Sequence, residues 1–152
     1  MKGSMLLSAV MSSLVGPAAT AATQPKVEYL NSGKVLPSTL PFSEAVRVGD
    51  LLFLSGQLGI IPGSMKLAEG GIKEEARQAM QNIKTSLEAH GYAMNNLVKC
   101  TVMLADMGDW PAFNEVYKTF FPDHFPARSA FGASALALSA RVEIECIAAV
   151  GK

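Results

Sequence analysis

The sequence predicts an α+β fold in which a single mixed β-sheet carries two helices packed on one of its faces. Three observations lead there. Short apolar runs rich in Val, Ile and Leu, bounded by Gly and Pro, recur along the chain. Residues 72–90 carry apolar side chains at helical spacing, and a second helical stretch follows Asp109. The resulting order of strand, hairpin, helix, strand, helix, strand, strand suits one sheet covered by one helical layer. The chain has 152 residues, of which 49% are hydrophobic and 17% charged, enough for one domain with one core.

The elements follow from local pattern. Val27-Glu28-Tyr29-Leu30 is a short strand candidate, and residues 32–43, with Gly33, Pro37 and Pro41, read as a loop. Ala45–Val48 and Leu51–Ser55 flank Gly49-Asp50, a two-residue hairpin signal. Residues 56–71 hold Gly59, Pro62, Gly63, Gly70 and Gly71 and read as a second loop. From Ile72 to His90, Ile72, Ala76, Ala79, Met80, Ile83 and Leu87 share one helical face, Lys73, Glu74, Arg77, Lys84 and Glu88 share the other, and Gly91 supplies the stop. Leu97–Ala105 is a strand. Asp109 is placed to cap a second helix, with Pro111 in its first turn, Trp110, Phe113, Val116, Tyr117 and Phe120 on its apolar face, and Pro122 ending it. Arg128–Ser134 and Arg141–Val150 are the last strands. In the second, Val142, Ile144, Cys146, Ala148 and Val150 alternate with Glu143, Glu145, Ile147 and Ala149. A sheet face mixing carboxylates with Ile and Ala fits a contact with another subunit better than it fits open solvent.

Residues 1–24 stand apart. Lys2, the apolar run Met5–Met11, Leu14-Val15 and the small-residue stretch Ala18–Ala22 with its Ala19-Thr20-Ala21 site read as a secretory signal, the alternative being a disordered N-terminal segment. The run is short and Ser-rich for a membrane span. On the signal reading the domain is residues 25–152 and the protein is periplasmic or secreted. Without it, the protein is cytoplasmic.

The 13 Lys and Arg balance the 13 Asp and Glu, which gives no electrostatic argument for a nucleic-acid partner. Cys100 and Cys146 both lie in strand-like segments and read first as buried free thiols, the alternative being a disulfide, which needs a closeness of Cβ atoms that sequence alone does not show. No Cys/His cluster has metal-ligand spacing, so no metal is expected, and His90 and His124 read as isolated surface histidines.

The most specific segment runs Pro126-Ala127-Arg128-Ser129-Ala130-Phe131, then Ser134-Ala135-Leu136, then Val142-Glu143-Ile144. It resembles the signature of the RidA/YjgF imine deaminase family, also called the L-PSP endoribonuclease family. Leu54-Ser55-Gly56-Gln57 is similar to the family's Ser-Gly-Gln turn, and Asn114-Glu115-Val116-Tyr117 followed by Phe120-Phe121-Pro122 resembles its second helix. The resemblance covers about Val27 to Val150. On residue types alone, Arg128 and Glu143 fit a structural ion pair better than a catalytic one. The longer motif reverses that preference. A guanidinium fork can grip a carboxylate through two parallel bonds, and a half-buried carboxylate can polarise a water.

The resemblance implies a chorismate-mutase-like homotrimer with sites between subunits, working without metal or organic cofactor. Arg128 would bind the carboxylate of a 2-imino or 2-enamino acid such as 2-aminoacrylate, and Glu143 would hold the attacking water. The backbone of Gly56 and Ala130 would supply hydrogen bonds, and Ser55 and Asn114 would line the pocket. The products are a 2-keto acid and ammonia. Two positions depart from the family pattern. Phe42 stands where many deaminases have Tyr, which removes a hydroxyl and keeps a ring. Ala130 stands where many members have Cys. Two other readings remain open on sequence: an endoribonuclease or translation inhibitor, and a non-catalytic trimeric binder of small carboxylates, which Phe42 keeps in play.

Overall fold

The computed structural model describes residues 23–151. All but the last two residues of the signal-like segment 1–24 therefore lie outside the described residues. The elements are β1 (Val27–Leu30), β2 (Ala45–Val48), β3 (Leu51–Leu54), β4 (Gln57–Leu58), β5 (Ile60–Ile61), β6 (Lys66–Leu67), α1 (Ile72–Ala89), β7 (Leu97–Leu104), α2 (Trp110–Tyr117), β8 (Ala127–Gly132) and β9 (Val142–Ala149). The main sheet runs β1-β2-β3-β9-β7-β8, with β4 added to β9. It is mixed as expected: β7 and β8 are parallel, joined through α2, and the other ladders are antiparallel.

The β2–β3 hairpin forms where the Gly-Asp signal stands. Gly49 takes a left-handed φ of 57°, which costs a residue without Cβ nothing. In α1 the helical stripe is the core. Ala76, Ala79, Met80, Ile83 and Leu87 are fully buried, each large side chain contributing about 1.5–3 kcal/mol from loss of apolar surface. They meet Val102, Leu104, Val142, Ile144 and Ala148 of β7 and β9 in one cluster with Phe113, Val116 and Tyr117 of α2.

Five expectations need correction. Residues 56–71 are not one loop, for they contain β4, β5 and β6. Strands of two residues are too short to display a periodicity, and tertiary contacts place them. The Asn82 amide, buried on α1, donates to the Leu58 and Ile60 carbonyls at 3.0 and 2.8 Å. α2 ends at Tyr117, and residues 118–120 form a tighter turn before Pro122. Asp109 occupies the cap position, but its carboxylate accepts from Arg141 Nη1 at 3.0 Å instead of from a helix N–H. His90 is not a surface residue. Its side chain is 13% exposed, and its Nε2 lies 3.4 Å from the Glu44 carboxylate.

The cysteines are the fifth correction, because they are joined and not free. β7 and β9 pair in a register that sets Cys100 opposite Cys146. Their Cα atoms are 4.1 Å apart, close to the spacing of a non-hydrogen-bonded antiparallel pair, where facing side chains approach most closely. The bridge is buried on the helix side of the sheet.

The cross-link closes a loop of 46 residues, so removing it should cost about 2–4 kcal/mol by freeing the unfolded chain. Urea unfolding of wild type with and without reductant, beside the Cys100→Ser/Cys146→Ser variant, measures this. Equal midpoints in all samples would show that the thiols are unpaired in solution.

Candidate active site

Arg128 is the second residue of β8 and pairs in register with Cys100, so its side chain leaves the sheet on the helix side. There α2 presents Trp110, Phe113 and Tyr117 along one face. The guanidinium carbon lies 4.6 Å from the Trp110 ring centroid, 4.5 Å from Tyr117 and 5.8 Å from Phe113. Each such contact is worth about 0.5–2 kcal/mol and holds the plane of the fork. Among the described residues no carboxylate pairs with Arg128. It opens on a cleft of about 430 Å³ lined also by Asn114, Tyr117, Lys118, Phe125 and Pro126. Burial pushes the Tyr117 phenol up to about 12, against the pull of Arg128 beside it, so it stays a neutral donor. Its hydroxyl is buried and has no hydrogen-bond partner among the described residues.

Glu143 lies in the row of β9 opposite Met103 and next to Leu58 of β4. It is an odd number of residues from Cys146, so it projects from the other face of the sheet. No cation pairs with it among the described residues. Burial raises its pKa above the usual carboxylate range, and the like charge of Glu145 adds to the effect. Its carboxylate lies against the backbone at Gly56, where an added Cβ would overlap Oε1 and stand 2.9 Å from Cδ. Gly56 is thus the floor on which the carboxylate rests, held there by β4 pairing with β9. α1 fixes both: Asn82 anchors β4 and β5, and the Glu75 carboxylate accepts from the Arg141 N–H at 2.7 Å, just before β9.

The other expected site residues divide between two clefts. Asn114 lines the Arg128 cleft, and Ala130 shares the helix side of β8 with Arg128, two residues on. Phe42 and Gly56 line a cleft of about 290 Å³ with Glu143. Ser55 has another task. Its hydroxyl donates to the Ser43 carbonyl at 2.7 Å and its N–H to the Glu44 carbonyl at 3.0 Å, tying the loop that carries Phe42 to the end of β3. The two clefts share no lining residue. Within one chain Arg128 and Glu143 stand on opposite faces of the sheet, which rules out an ion pair between them.

A family model described as Endoribonuclease L-PSP matches residues 33–150. The chain belongs to this family. Among L-PSP relatives, a mouse protein named 2-iminobutanoate/2-iminopropanoate deaminase is 49% identical over 111 residues, covering 73% of this chain and 82% of its own length. A goat protein of the same name is 46% identical over 122 residues, covering 80% and 89%. The crystal structure of RidA from the Antarctic bacterium Psychrobacter superposes with a TM-score of 0.76 at 37% identity, covering 81% of this chain and 99% of that one. The α+β architecture expected from the motif is therefore that of the L-PSP fold.

Sequence reading missed the aromatic holder of Arg128 and the apolar wall around Glu143. Trp110, Phe113 and Tyr117 were legible as a helical stripe, but a stripe reads as core until the neighbouring strand is known. The signal for the wall was apolar residues inside a Pro- and Gly-rich loop, Leu36 and Leu40, where solvent-exposed turns favour polar ones.

The raised Glu143 pKa makes a signed prediction. A carboxyl group whose folded pKa exceeds its unfolded value binds more protons when folded, so it lowers stability progressively as pH rises through that interval. Glu143→Gln should therefore melt at or above the wild-type temperature at pH 7, and the gap should close as pH falls toward 4. A variant that is less stable at pH 7 but not at low pH would mean that the carboxylate has a cationic partner.

Proposed function

We propose that this chain hydrolyses reactive 2-imino and 2-enamino acids to 2-keto acids and ammonia, in sites built from Arg128 of one subunit and Glu143 of the next. The observation that carries this reading is the separation of two unpaired charges: a guanidinium fixed between rings on one sheet face, and a carboxylate seated on Gly56 on the other. Neither half is a site by itself. Arg128 grips the substrate carboxylate, with Asn114 and the Ala130 backbone beside it. Glu143, Gly56 and Phe42 face the imine carbon. The relatives named 2-iminobutanoate/2-iminopropanoate deaminase support the reaction assigned.

The chemistry asks little more of the protein. Glu143 takes a proton from a water as its oxygen bonds to the imine carbon, the C=N π electrons move to nitrogen, and Glu143 delivers that proton to the nitrogen. Collapse of the carbinolamine forms the C=O bond and breaks the C–N bond. Glu143 relays the hydroxyl proton to the nitrogen, which departs as ammonia with the bonding pair. A carboxylate whose pKa is raised toward neutrality is the better proton carrier at both steps. The Phe42 ring packs in this scheme without taking part in proton transfer. Residues of this chain suffice for every step, so the proposal includes no metal or organic cofactor. Neutral net charge gives the family's endoribonuclease description no electrostatic support here.

The assembly proposed is a homotrimer closed on the open sheet face. That face exposes Phe53 and Phe131, and Phe53 adjoins Lys99, Thr101, Glu145 and Ile147, a mixed apolar and charged surface that suits a contact between copies. Export is proposed too. The signal-like residues 1–24 and the Cys100–Cys146 bridge both fit an oxidising compartment. Among the described residues no helix is long and apolar enough to cross a membrane.

Two measurements test the shared site. Arg128→Ala should lose about 2–5 kcal/mol of transition-state stabilisation while remaining folded, and Arg128→Lys should stay badly impaired, because it lacks the planar fork. Unfolding and refolding Arg128→Ala together with Glu143→Gln should restore activity to about a quarter of wild type, since a trimer mixed at random pairs intact halves in that fraction of its interfaces. No restoration in mixed trimers of confirmed composition would place both groups in one subunit's site. For export, mass spectrometry of protein from its native host should find a chain lacking roughly the first 20 residues; an intact Met1 would refute it.

A further inference from the structure

The cleft beside Glu143 is larger and more apolar than a three- or four-carbon imino acid requires. Its volume of about 290 Å³ is close to the lower end for small-molecule pockets. Leu36, Leu40, Phe42, Ile60, Met65 and Leu138 wall it. Phe42, Met65 and Leu138 are 47%, 43% and 54% exposed, so these apolar groups line an opening and do not fill a core.

Two of these residues hold a costly backbone. Met65 has φ 55° and Leu138 has φ 57°, in the left-handed region that large side chains avoid. Gly or Asn would take either position with less strain. Among the described residues, Met65, Leu138 and Ser139 are the non-glycine residues with positive φ, so two of the three face this one cleft. They come from separate loops, the β5–β6 turn and the segment before β9. Strained residues that converge from different parts of the chain mark a surface with a task beyond folding. The task must suit an apolar wall that adjoins the carboxylate and its glycine floor.

We propose that this cleft is the side-chain subsite of the enzyme, and that it selects 2-imino acids with bulky apolar side chains, branched aliphatic or thioether, over those with methyl or ethyl groups. The inference rests on the reading of Glu143 as one wall of the reaction site. A substrate held by its carboxylate at Arg128, with its imine carbon at Glu143, directs its side chain along the remaining wall. A methyl group leaves most of that wall wet. A leucine- or methionine-derived chain covers it and releases the water. Each extra methylene in such a pocket discriminates by roughly 10-fold or more, so the preference should be large.

The test uses the full-length protein with imines generated in situ by an amino-acid oxidase. The value of kcat/KM for the leucine-derived imine should exceed that for the alanine-derived imine by about 10-fold or more. Leu138→Asn and Met65→Asn fit the left-handed backbone, so both should fold with melting temperatures at or above wild type. Each should reduce the leucine-to-alanine ratio by about 10-fold, because the apolar wall is broken. A merely structural role for these residues would leave the ratio unmoved, and that result, or a wild type indifferent to side-chain size, overturns the proposal. Calorimetric binding of the stable products separates the layers. If wild type turns over no imine yet binds 4-methyl-2-oxopentanoate more tightly than pyruvate, with Leu138→Asn abolishing the difference, the subsite stands and the deaminase reading fails. If the two keto acids bind equally, the subsite falls, whatever the imine rates.

Discussion

The antiparallel ladder between β7 and β9 decides on which side of the sheet every functional group lies. Its register puts Cys100 against Cys146 and Met103 against Glu143. The parallel β8 repeats the first of these rows at Arg128 and the second at Phe131. A slip of one residue would exchange the faces, sending Glu143 into the helix layer and the core residues into the open. Buried Val142, Ile144 and Ala148, packed against α1, oppose that slip, and the disulfide fixes the same register covalently. The pleat then separates the two charges within one chain, because they project in opposite directions. On the proposed reading, a second copy of the chain would supply the missing half of the site and cover the apolar surface of the open face.

Each half of the proposed site is held by a different kind of force. Arg128 is oriented by aromatic faces, which fix a plane without neutralising it and leave its donors for a ligand. Glu143 is positioned by backbone, with Gly56 beneath it and the β4 ladder beside it. Buried polar groups of α1 hold that backbone in turn. Asn82 satisfies two carbonyls of the β4–β5 segment and Glu75 satisfies the N–H that leads into β9. Unpaired, these groups would each cost about 1–3 kcal/mol, so the helix stripe that looks purely apolar in sequence also sets the geometry of the carboxylate.

Functional groups left unpaired and backbone left strained occur together around the Glu143 cleft. The raised carboxyl pKa, the left-handed Met65 and Leu138, and the exposed Phe42 each lower stability where they stand. The fully buried cluster between α1 and the sheet, reinforced by the cross-strand bridge, compensates from the opposite face. The fold thus concentrates its cohesion in the helix layer, where Arg128 also sits, and leaves its strained and unpaired groups on the other face.

Much of this was legible in the sequence, for a definite reason. Periods of 3.6 and 2 residues report which face of an element is buried, so the α1 stripe and the alternation of β9 gave the helices, the sheet and the fold class directly. The Gly49-Asp50 turn gave the hairpin, and the segment from Arg128 to Glu143 gave the pair of charges. Periodicity does not say which strands become neighbours, or in what register. The disulfide, the strands β4 to β6, the contact between His90 and Glu44, and the aromatic holder of Arg128 all depend on pairing between distant segments. The placement of Arg128 and Glu143 on opposite faces belongs to the same class. Side-chain alternation is local, but comparing the faces of two strands requires knowing how both pair with β7. That is a property of the assembled sheet and of no single stretch of chain.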